Sequence, residues 1–298
     1  MRHNIVSVSG GKDSTALLLL AIERETQNLS AVFADTGNEH ETTYMYIEYL
    51  NREVLPIRTV KADFTDQIAK KADFVRKNWA NHGISEEKIK RALEVLKPTG
   101  NPFLDMCICK GRMPSSKARF CTLDLKRNPI IEQVYFPILS DGHEIYSWQG
   151  VRRDESRARA DLSEIEAVGG GLFNYRPILD WKAADCFAMH KKHGIAHNPL
   201  YQKGMGRVGC MPCINCRKDE LYQISQRFPE VIERIAEWEK IVKEASKCDG
   251  ATFFYNQRGD DIHEAVMWSK TTHGGKHFDL LKVADDGDSC SSIYGLCE

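Results

Sequence analysis

Runs of β-branched and apolar residues alternate with helical periods over the first two hundred residues, which predicts strands and helices taken in turn. Residues 4–9 form a short apolar run that ends at Gly10 and Gly11, and residues 14–22 continue with the unbroken apolar character of a helix packed on a sheet. Residues 29–34 read as a second buried strand ending at Asp35, Thr36 and Gly37, residues 39–50 as a helix, and residues 57–60 as a third strand. Strands separated by helices favour a mostly parallel sheet flanked by helices, so the expected fold class is α/β. Further helices are expected at 64–78, 85–96 and 122–134. Residues 103–119 are rich in cysteine and basic side chains with little periodicity, and read as an irregular insertion near the ligand face.

A strand at 144–151 delivers Gly150, Arg152, Arg153, Asp154 and Ser156 at its C-terminal end, where open α/β sheets bind ligands. Gly169, Gly170 and Gly171 mark a mobile or tightly turned link, and helices follow at 182–194, 221–228 and 229–246. Pro229 suits a first helical position, with Val231, Ile235 and Trp238 on one apolar face. The expected organisation is a nucleotide-binding unit over 1–170 with the insertion near 97–120. A cysteine-rich helical extension over 171–248 packs on it, and a peripheral tail covers 249–298.

Composition narrows the function classes. A chain of 298 residues hides roughly 75% of its extended surface, so a large core is available. Hydrophobic residues at 42% and charged residues at 28% are ordinary for a soluble protein, and no stretch approaches the ~18 consecutive apolar residues of a membrane span. The apolar run begins directly after Met1, Arg2 and His3, which leaves no room for a signal peptide, and a cytoplasmic location is expected. A net charge of -1 gives no global field toward nucleic acid, although 41 Lys and Arg residues allow a local patch. Ten cysteines in a reducing compartment point to ligation or thiol chemistry rather than structural disulfides.

Glycines after a strand let the backbone approach phosphate oxygens, and the following helix turns N–H groups toward them. In the run from Ser9 through Gly10, Gly11, Lys12 and Asp13 to Ser14, the ammonium adds charge, the serines offer hydroxyls, and Asp13 is placed to help hold Mg2+. The spacing is not that of the P-loop, since only two glycines precede the lysine. Asp35, Thr36 and Gly37 reach the same sheet edge, where they either contact a ribose or metal or form an ordinary turn.

The segment from Ser9 to Ser14 resembles the pyrophosphatase loop of the adenine-nucleotide α-hydrolase superfamily, which implies ATP and Mg2+ as ligands and adenylylated intermediates. Four further segments extend the likeness: Ala34 to Gly37, Cys121 through Lys126 to Ile130, Gly150 to Ser156, and Arg176-Pro177-Ile178 with Asp180-Trp181. Over residues 4–220 the chain resembles the phosphoadenylyl-sulfate reductase family and its sulfur-mobilising relatives. The resemblance implies Arg152 and Arg153 near the nucleotide or its attached group, with Asp154 and Ser156 ordering their loop. Two departures bear on the branch. The chain ends Gly295-Leu296-Cys297-Glu298 where assimilatory reductases carry Glu-Cys-Gly-Leu-His, and Cys121-Thr122 stands where iron-sulfur reductases carry adjacent cysteines. The stretch from Gly209 to Cys216 is similar instead to relatives used in DNA phosphorothioation and in phage- or plasmid-borne gene clusters.

Cys210, Cys213 and Cys216 bring three thiols into one turn, where they either stay reduced cysteines without a metal or, with a fourth, complete a tetrahedral set for zinc or a [4Fe-4S] cluster. The resemblance makes Cys121 the expected fourth ligand and favours the cluster over zinc; Cys107 and Cys109 compete for the place. Cys186, beside Phe187, reads as buried filler. Cys297 is either a nucleophile or persulfide carrier with a lowered thiol pKa, or an unreactive terminal thiol. Lys110, Arg112, Lys117, Arg119, Lys126 and Arg127 form a basic surface that either follows a phosphate backbone or attracts ATP or a sulfur-donor protein.

The expected function is cleavage of ATP between its α- and β-phosphates to adenylylate an acceptor, which then receives sulfur. Lys12, Asp13, Arg152, Arg153 and Cys297 are the expected catalytic residues. DNA is the expected acceptor, a cysteine desulfurase or other persulfide donor the expected partner, with other DNA-modification proteins and a second copy of the chain beside it. The alternatives are a thioredoxin-dependent reductase of a nucleotide sulfate, an RNA thiolation enzyme, and a nucleotide-sensing scaffold without turnover.

Overall fold

Residues 1–248, 250–254 and 260–271 are described by a computed structural model. Three cycles of strand and helix open it: β1 (Arg2–Ser7), α1 (Lys12–Glu23), β2 (Leu29–Asp35), α2 (Glu41–Glu53), β3 (Ile57–Lys61) and α3 (Thr65–Asn78). Successive strand residues point to opposite faces, and in β1 each face meets its own core. Val6 packs with Leu17, Leu18 and Ile47 under α1 and α2, while Ile5 packs with Ile130, Val134 and Ile145 on the other side. Both faces are therefore covered, which is why the strands read as continuous apolar runs rather than alternating ones.

After α3 the chain makes a detour through α4 (Glu86–Val95), α5 (Pro102–Lys110) and an irregular helical stretch over 120–140 that contains two π-type segments. It returns as β4 (Glu144–Trp148), β5 (Ile165–Gly169) and β6 (Leu172–Tyr175). The sheet order is β3-β2-β1-β4-β6-β5, with β5 the antiparallel edge and every other pairing parallel. The expected α/β class with a mostly parallel sheet is what the structure has. Asn4 of β1 lies between Leu29 of β2 and Tyr146 of β4, so the strand order reverses at β1. That switch point opens a crevice at the carboxyl ends of β1 and β4.

The structure departs from the sequence reading in three places. Residues 102–110 form a regular helix rather than irregular chain: the Asn101 side chain accepts a hydrogen bond from Leu104 N, Pro102 occupies the first turn, and Gly111 ends the helix at a φ of +66°. Every residue from Pro102 to Ile108 is buried, so α5 has no polar face from which a helical period could be read. The glycine run 169–171 is tightly turned, one of its two expected forms, but it joins β5 to β6 as a hairpin inside the sheet, and β5 goes unread because the fully exposed strand gives no alternation that marks it. Part of the expected peripheral tail is core. Phe253 stacks on Phe103 with ring centres 5.9 Å apart, Phe103 stacks on Trp238 at 5.5 Å, and Ile262 is fully buried. The buried Glu239 carboxylate accepts hydrogen bonds from the backbone N–H groups of Phe253 and Ile262 at 2.6 and 2.9 Å, which fixes this segment to the helix Pro229–Glu244. Among the described residues no helix is long and apolar enough to cross a membrane.

Candidate nucleotide and thiol site

The loop between β1 and α1 is shaped by its glycines. Gly10 sits at a φ of +76°, and a β-carbon there would lie 2.9 Å from Thr43 Cγ2, so both backbone and space demand glycine. Gly150, after β4, crosses against the same turn: a β-carbon there would lie 3.2 Å from the Asp13 carbonyl carbon. Ser14 Oγ accepts from Ser9 N at 3.1 Å and donates to Gly11 O at 3.0 Å, and Ser9 Oγ lies 3.2 Å from it. The two serines close the turn on itself.

Asp13 is the electrostatic centre. Lys12 Nζ donates to its carboxylate at 3.0 Å and Arg152 Nε at 2.6 Å, while Arg152 Nη1 donates to Asp154 at 2.7 Å. Burial pushes the Asp13 carboxyl up, but the charges of Lys12 and Arg152 outweigh it and hold the group below the usual carboxylate range. Arg159 lies within electrostatic reach of Asp13 and Arg152, and also of Arg207. Lys12 and Arg152 are buried, at 5% and 4% exposure, whereas Asp154 is exposed. An anion entering the crevice is therefore placed to supplant the exposed carboxylate as counter-ion to deeply held cations.

Four residues that the sequence reading did not assign hold this loop from behind. Asn198 Nδ2 donates to Gly10 O at 3.2 Å, Lys12 N donates to the Tyr201 hydroxyl at 2.8 Å, His190 Nε2 lies 3.1 Å from Lys12 O, and Cys186 Sγ donates to Asp13 at 3.3 Å. Cys186 is thus more than filler. Burial and the neighbouring Asp13 charge push its thiol up, so it stays protonated and donates. Cys186 and His190 are four apart on the helix Ala183–Lys192, one face of which packs on α1. That spacing of two polar residues on an apolar face is the signal that could have found them.

The other expected residues divide. Arg153 turns away from the loop: its backbone N–H donates to Leu179 O, and its guanidinium donates to Leu162 O and pairs with Asp180, so it braces the 153–180 region instead. Ser156 is exposed. Asp35 accepts from Gly37 N at 2.9 Å and from the Tyr44 hydroxyl at 2.7 Å, and Gly37 packs so tightly that a β-carbon would lie 2.7 Å from Asn101 and Pro102. Thr36 is buried, donates to Glu39 Oε1 at 2.7 Å, and lies 3.4 Å from Cys210 Sγ. Of this turn, Thr36 is the member brought to the cysteines.

Met211 N donates to Asn38 O at 2.7 Å and Arg234 donates to both Asn38 Oδ1 and Met211 O, which ties the cysteine loop to the end of β2. Burial pushes the Cys210 thiol up to about 12 against the pull of Lys126. Cys210, Cys213 and Cys121 all act on Lys126, whose ammonium is raised first by Cys210, and Arg207 Nη2 donates to Cys213 Sγ at 3.6 Å. Cys216 is buried and donates to Arg217 O at 3.4 Å. Among the described residues, no three His, Cys, Asp or Glu side chains stand close enough together to hold a metal ion. The expected tetrahedral set is thus gathered on one wall without a coordination geometry. Lys126 and Arg207 stand beside these thiols, and burial outweighs the pull of Lys126 on both Cys210 and Cys121. Cys107 is fully buried and its thiol is raised well above the usual range, which removes it as an accessible carrier; Cys109 is half-buried and also raised by burial. Cys297 lies outside the described residues.

A family model described as the phosphoadenosine phosphosulfate reductase domain matches residues 3–216. A protein of Escherichia phage 186, described as an uncharacterized 37.8 kDa protein, is 46% identical over 99% of this chain and 96% of its own length. An uncharacterized protein of Methanocaldococcus jannaschii is 28% identical over 80% of this chain, which spans 47% of that relative's length. The adenosine 5'-phosphosulfate reductase of Burkholderia cepacia is 38% identical over a shorter stretch, 24% of this chain and 29% of its own.

Proposed function

This chain belongs to the phosphoadenosine phosphosulfate reductase domain family, and from that premise we propose that it is an enzyme acting on the group joined to the α-phosphate of an adenosine nucleotide. The observation that carries the reading is the meeting of Lys12, Asp13 and Arg152 at the carboxyl ends of β1 and β4, beside a thiol-bearing loop. Free thiols on that loop fit a reducing cytoplasm.

The reductive form has the support of relatives named as sulfonucleotide reductases. In it, the nucleotide sulfate lies with its anionic oxygens toward Lys12 and Arg152. A thiolate attacks the sulfonyl sulfur, an S–S bond forms, and the bond from sulfur to the nucleotide oxygen breaks. A thioredoxin-type thiolate then attacks the carrier sulfur, forming a disulfide and releasing sulfite. Cys297 is the proposed carrier. The cations stabilise the departing phosphate, whose charge grows as the bond breaks.

A second reading is favoured by Asp13, whose carboxylate is held ionised beside Lys12, a setting that suits Mg2+ and pyrophosphate. An acceptor oxygen attacks the α-phosphorus of ATP and pyrophosphate departs on the glycine loop. The outer sulfur of a persulfide donor, such as a cysteine desulfurase, displaces AMP, and a second thiolate then attacks the donor's inner sulfur, forming a disulfide and freeing the thiolated acceptor. The acceptor in this reading is a DNA phosphate oxygen, with RNA the alternative. Cys121, Cys210, Cys213 and Cys216 are the residues assigned to a [4Fe-4S] cluster, zinc being the second choice. A bound cluster would supply redox or sulfur-binding capacity beside the nucleotide.

Anaerobically purified protein incubated with ATP and Mg2+, and separately with adenylyl sulfate or phosphoadenylyl sulfate plus thioredoxin, tests both forms. Sulfite release supports the first and equimolar AMP and pyrophosphate the second. Failure to bind or turn over any of these nucleotides removes the whole reading.

A further inference from the structure

A basic and aromatic surface leads to the thiol side of the site. A β-carbon on Gly111 would lie 3.1 Å from the Ala245 carbonyl oxygen, so the turn after α5 packs on the end of the helix Pro229–Glu244 and brings the chain at Arg112 to the chain at Lys247. Lys71 of α3 lies within electrostatic reach of both Cys109 and Lys247. Lys247 Nζ stands 5.6 Å from the ring centre of Phe74, while Arg112 and Lys110 stand 5.3 and 5.7 Å from that of Phe120. Phe74 is 44% exposed.

Among the described residues, the carboxylates of Asp73, Asp124 and Glu244 are already taken. Asp73 pairs with Arg76, Asp124 with Lys110, and Glu244 with Lys88 and Arg91. Lys71, Lys247 and Arg112 therefore form a local positive surplus on a chain whose net charge is -1. The surface ends at the site, because Phe120 precedes Cys121, which lies within electrostatic reach of Cys213.

We propose that this surface is a track for single-stranded nucleic acid that leads an acceptor strand to the thiol wall of the nucleotide site; as a route for an acceptor it rests on the ATP-dependent reading. Cations interleaved with aromatic rings match the alternation of phosphates and bases along a single strand. A duplex hides its base faces, and an acidic protein offers carboxylates without a row of π faces.

Fluorescence anisotropy with fluorescein-labelled dT20, at 50 and 200 mM NaCl, tests the track on the full chain. Binding is expected to weaken with salt. The triple variant K71E/R112E/K247E is expected to lose tenfold or more and to show a shallower salt slope, by about 0.7 for each phosphate contact removed. F74A, at an exposed position, is expected to weaken binding several-fold while leaving the slope in place. Competition by unlabelled rU20 as strong as by dT20 extends the track to RNA; weaker competition assigns it to DNA. No binding at 50 mM NaCl, tighter binding of a dT20:dA20 duplex, equal displacement by poly-glutamate, or variants that bind like the parent would overturn it. Both variants are expected to keep the parent's melting curve and its turnover of small nucleotides. That control separates failure of the track from failure of the site, since a chain inactive on every nucleotide still reports strand binding.

Discussion

In the nucleotide loop, consecutive polar groups meet partners that the fold supplies: Gly10 O meets Asn198, Lys12 N meets Tyr201, Lys12 O meets His190, and Asp13 meets Lys12, Arg152 and Cys186. On the opposite wall, Cys121 comes from one segment and Cys210 and Cys213 from another, and their thiols meet cations rather than a shared centre. The first region has its geometry fixed on folding, so a ligand is received by groups already aimed. The second has its charge arranged but, among the described residues, no coordination geometry. In the proposed reading, the molecule therefore separates a preformed anion site from a wall whose chemistry a partner completes.

The largest effect expected from this contrast is on turnover. Lys12→Ala and Arg152→Ala each remove a buried cation from Asp13 and from the departing anion, and are expected to lower kcat/KM on the order of 10² to 10³-fold. Arg153→Ala, whose side chain braces Asp180 instead, is expected to change kcat/KM far less. Steady-state assays of the three variants decide the matter, and an Arg153 variant as impaired as Arg152→Ala would contradict the assignment.

The cysteine wall is expected to respond in loading rather than in nucleotide affinity. Cys213→Ser should abolish stoichiometric iron and sulfide in protein reconstituted without oxygen, while nucleotide binding measured by calorimetry stays within about the twofold scatter usual for a distant substitution. Iron content equal to that of the parent would remove Cys213 from the ligand set. A parallel loss of nucleotide affinity would show that the two walls are one unit.

The supports behind the loop come next. Asn198→Ala leaves the buried Gly10 carbonyl without its donor and is expected to cost about 1–3 kcal/mol of stability. Tyr201→Phe removes only the hydroxyl that accepts from Lys12 N, while keeping the ring that packs on Phe187, and is expected to cost about 1 kcal/mol. Chemical denaturation measures both, and the order of the two losses is the test.

How these regions read in the sequence follows from their construction. The glycine loop was legible because its determinants are consecutive residues whose backbone freedom and charge act together. The sheet was legible because its first two strands carry buried apolar runs closed by turn residues, and the third carries buried Ile57 and Val60 between helical segments. The supports were not, since Asn198 and Tyr201 reach the loop from 188 and 189 residues away, a relation that no local period encodes. Arg152 and Arg153 are neighbours of identical chemistry, and only the fold decides that one faces Asp13 and the other Asp180. α5 escaped because burial on every side erased its amphipathic pattern, and the segment at Phe253 because its anchoring carboxylate, Glu239, lies on another helix.

The smallest effect concerns acid. His190 is buried behind the loop, and burial holds its ring below the ordinary imidazole range despite the hydrogen bond to Lys12 O. Because the folded pKa is depressed, the contribution is fully present above the unfolded value near 6.5. As pH falls below that value the unfolded chain takes up the proton first, and stability declines until the folded pKa is reached. His3, His40 and His197 are lowered in the same direction, with burial the largest cause in each, so the whole protein is expected to lose stability in mild acid. His190→Gln keeps an amide donor near Lys12 O but removes the titration. Its urea midpoint should therefore fall less than the parent's between pH 7.5 and 5.5. If the two proteins lose stability in parallel, the acid sensitivity belongs to the other histidines, and the loop's support is as indifferent to pH as the ion-paired Asp13 in front of it.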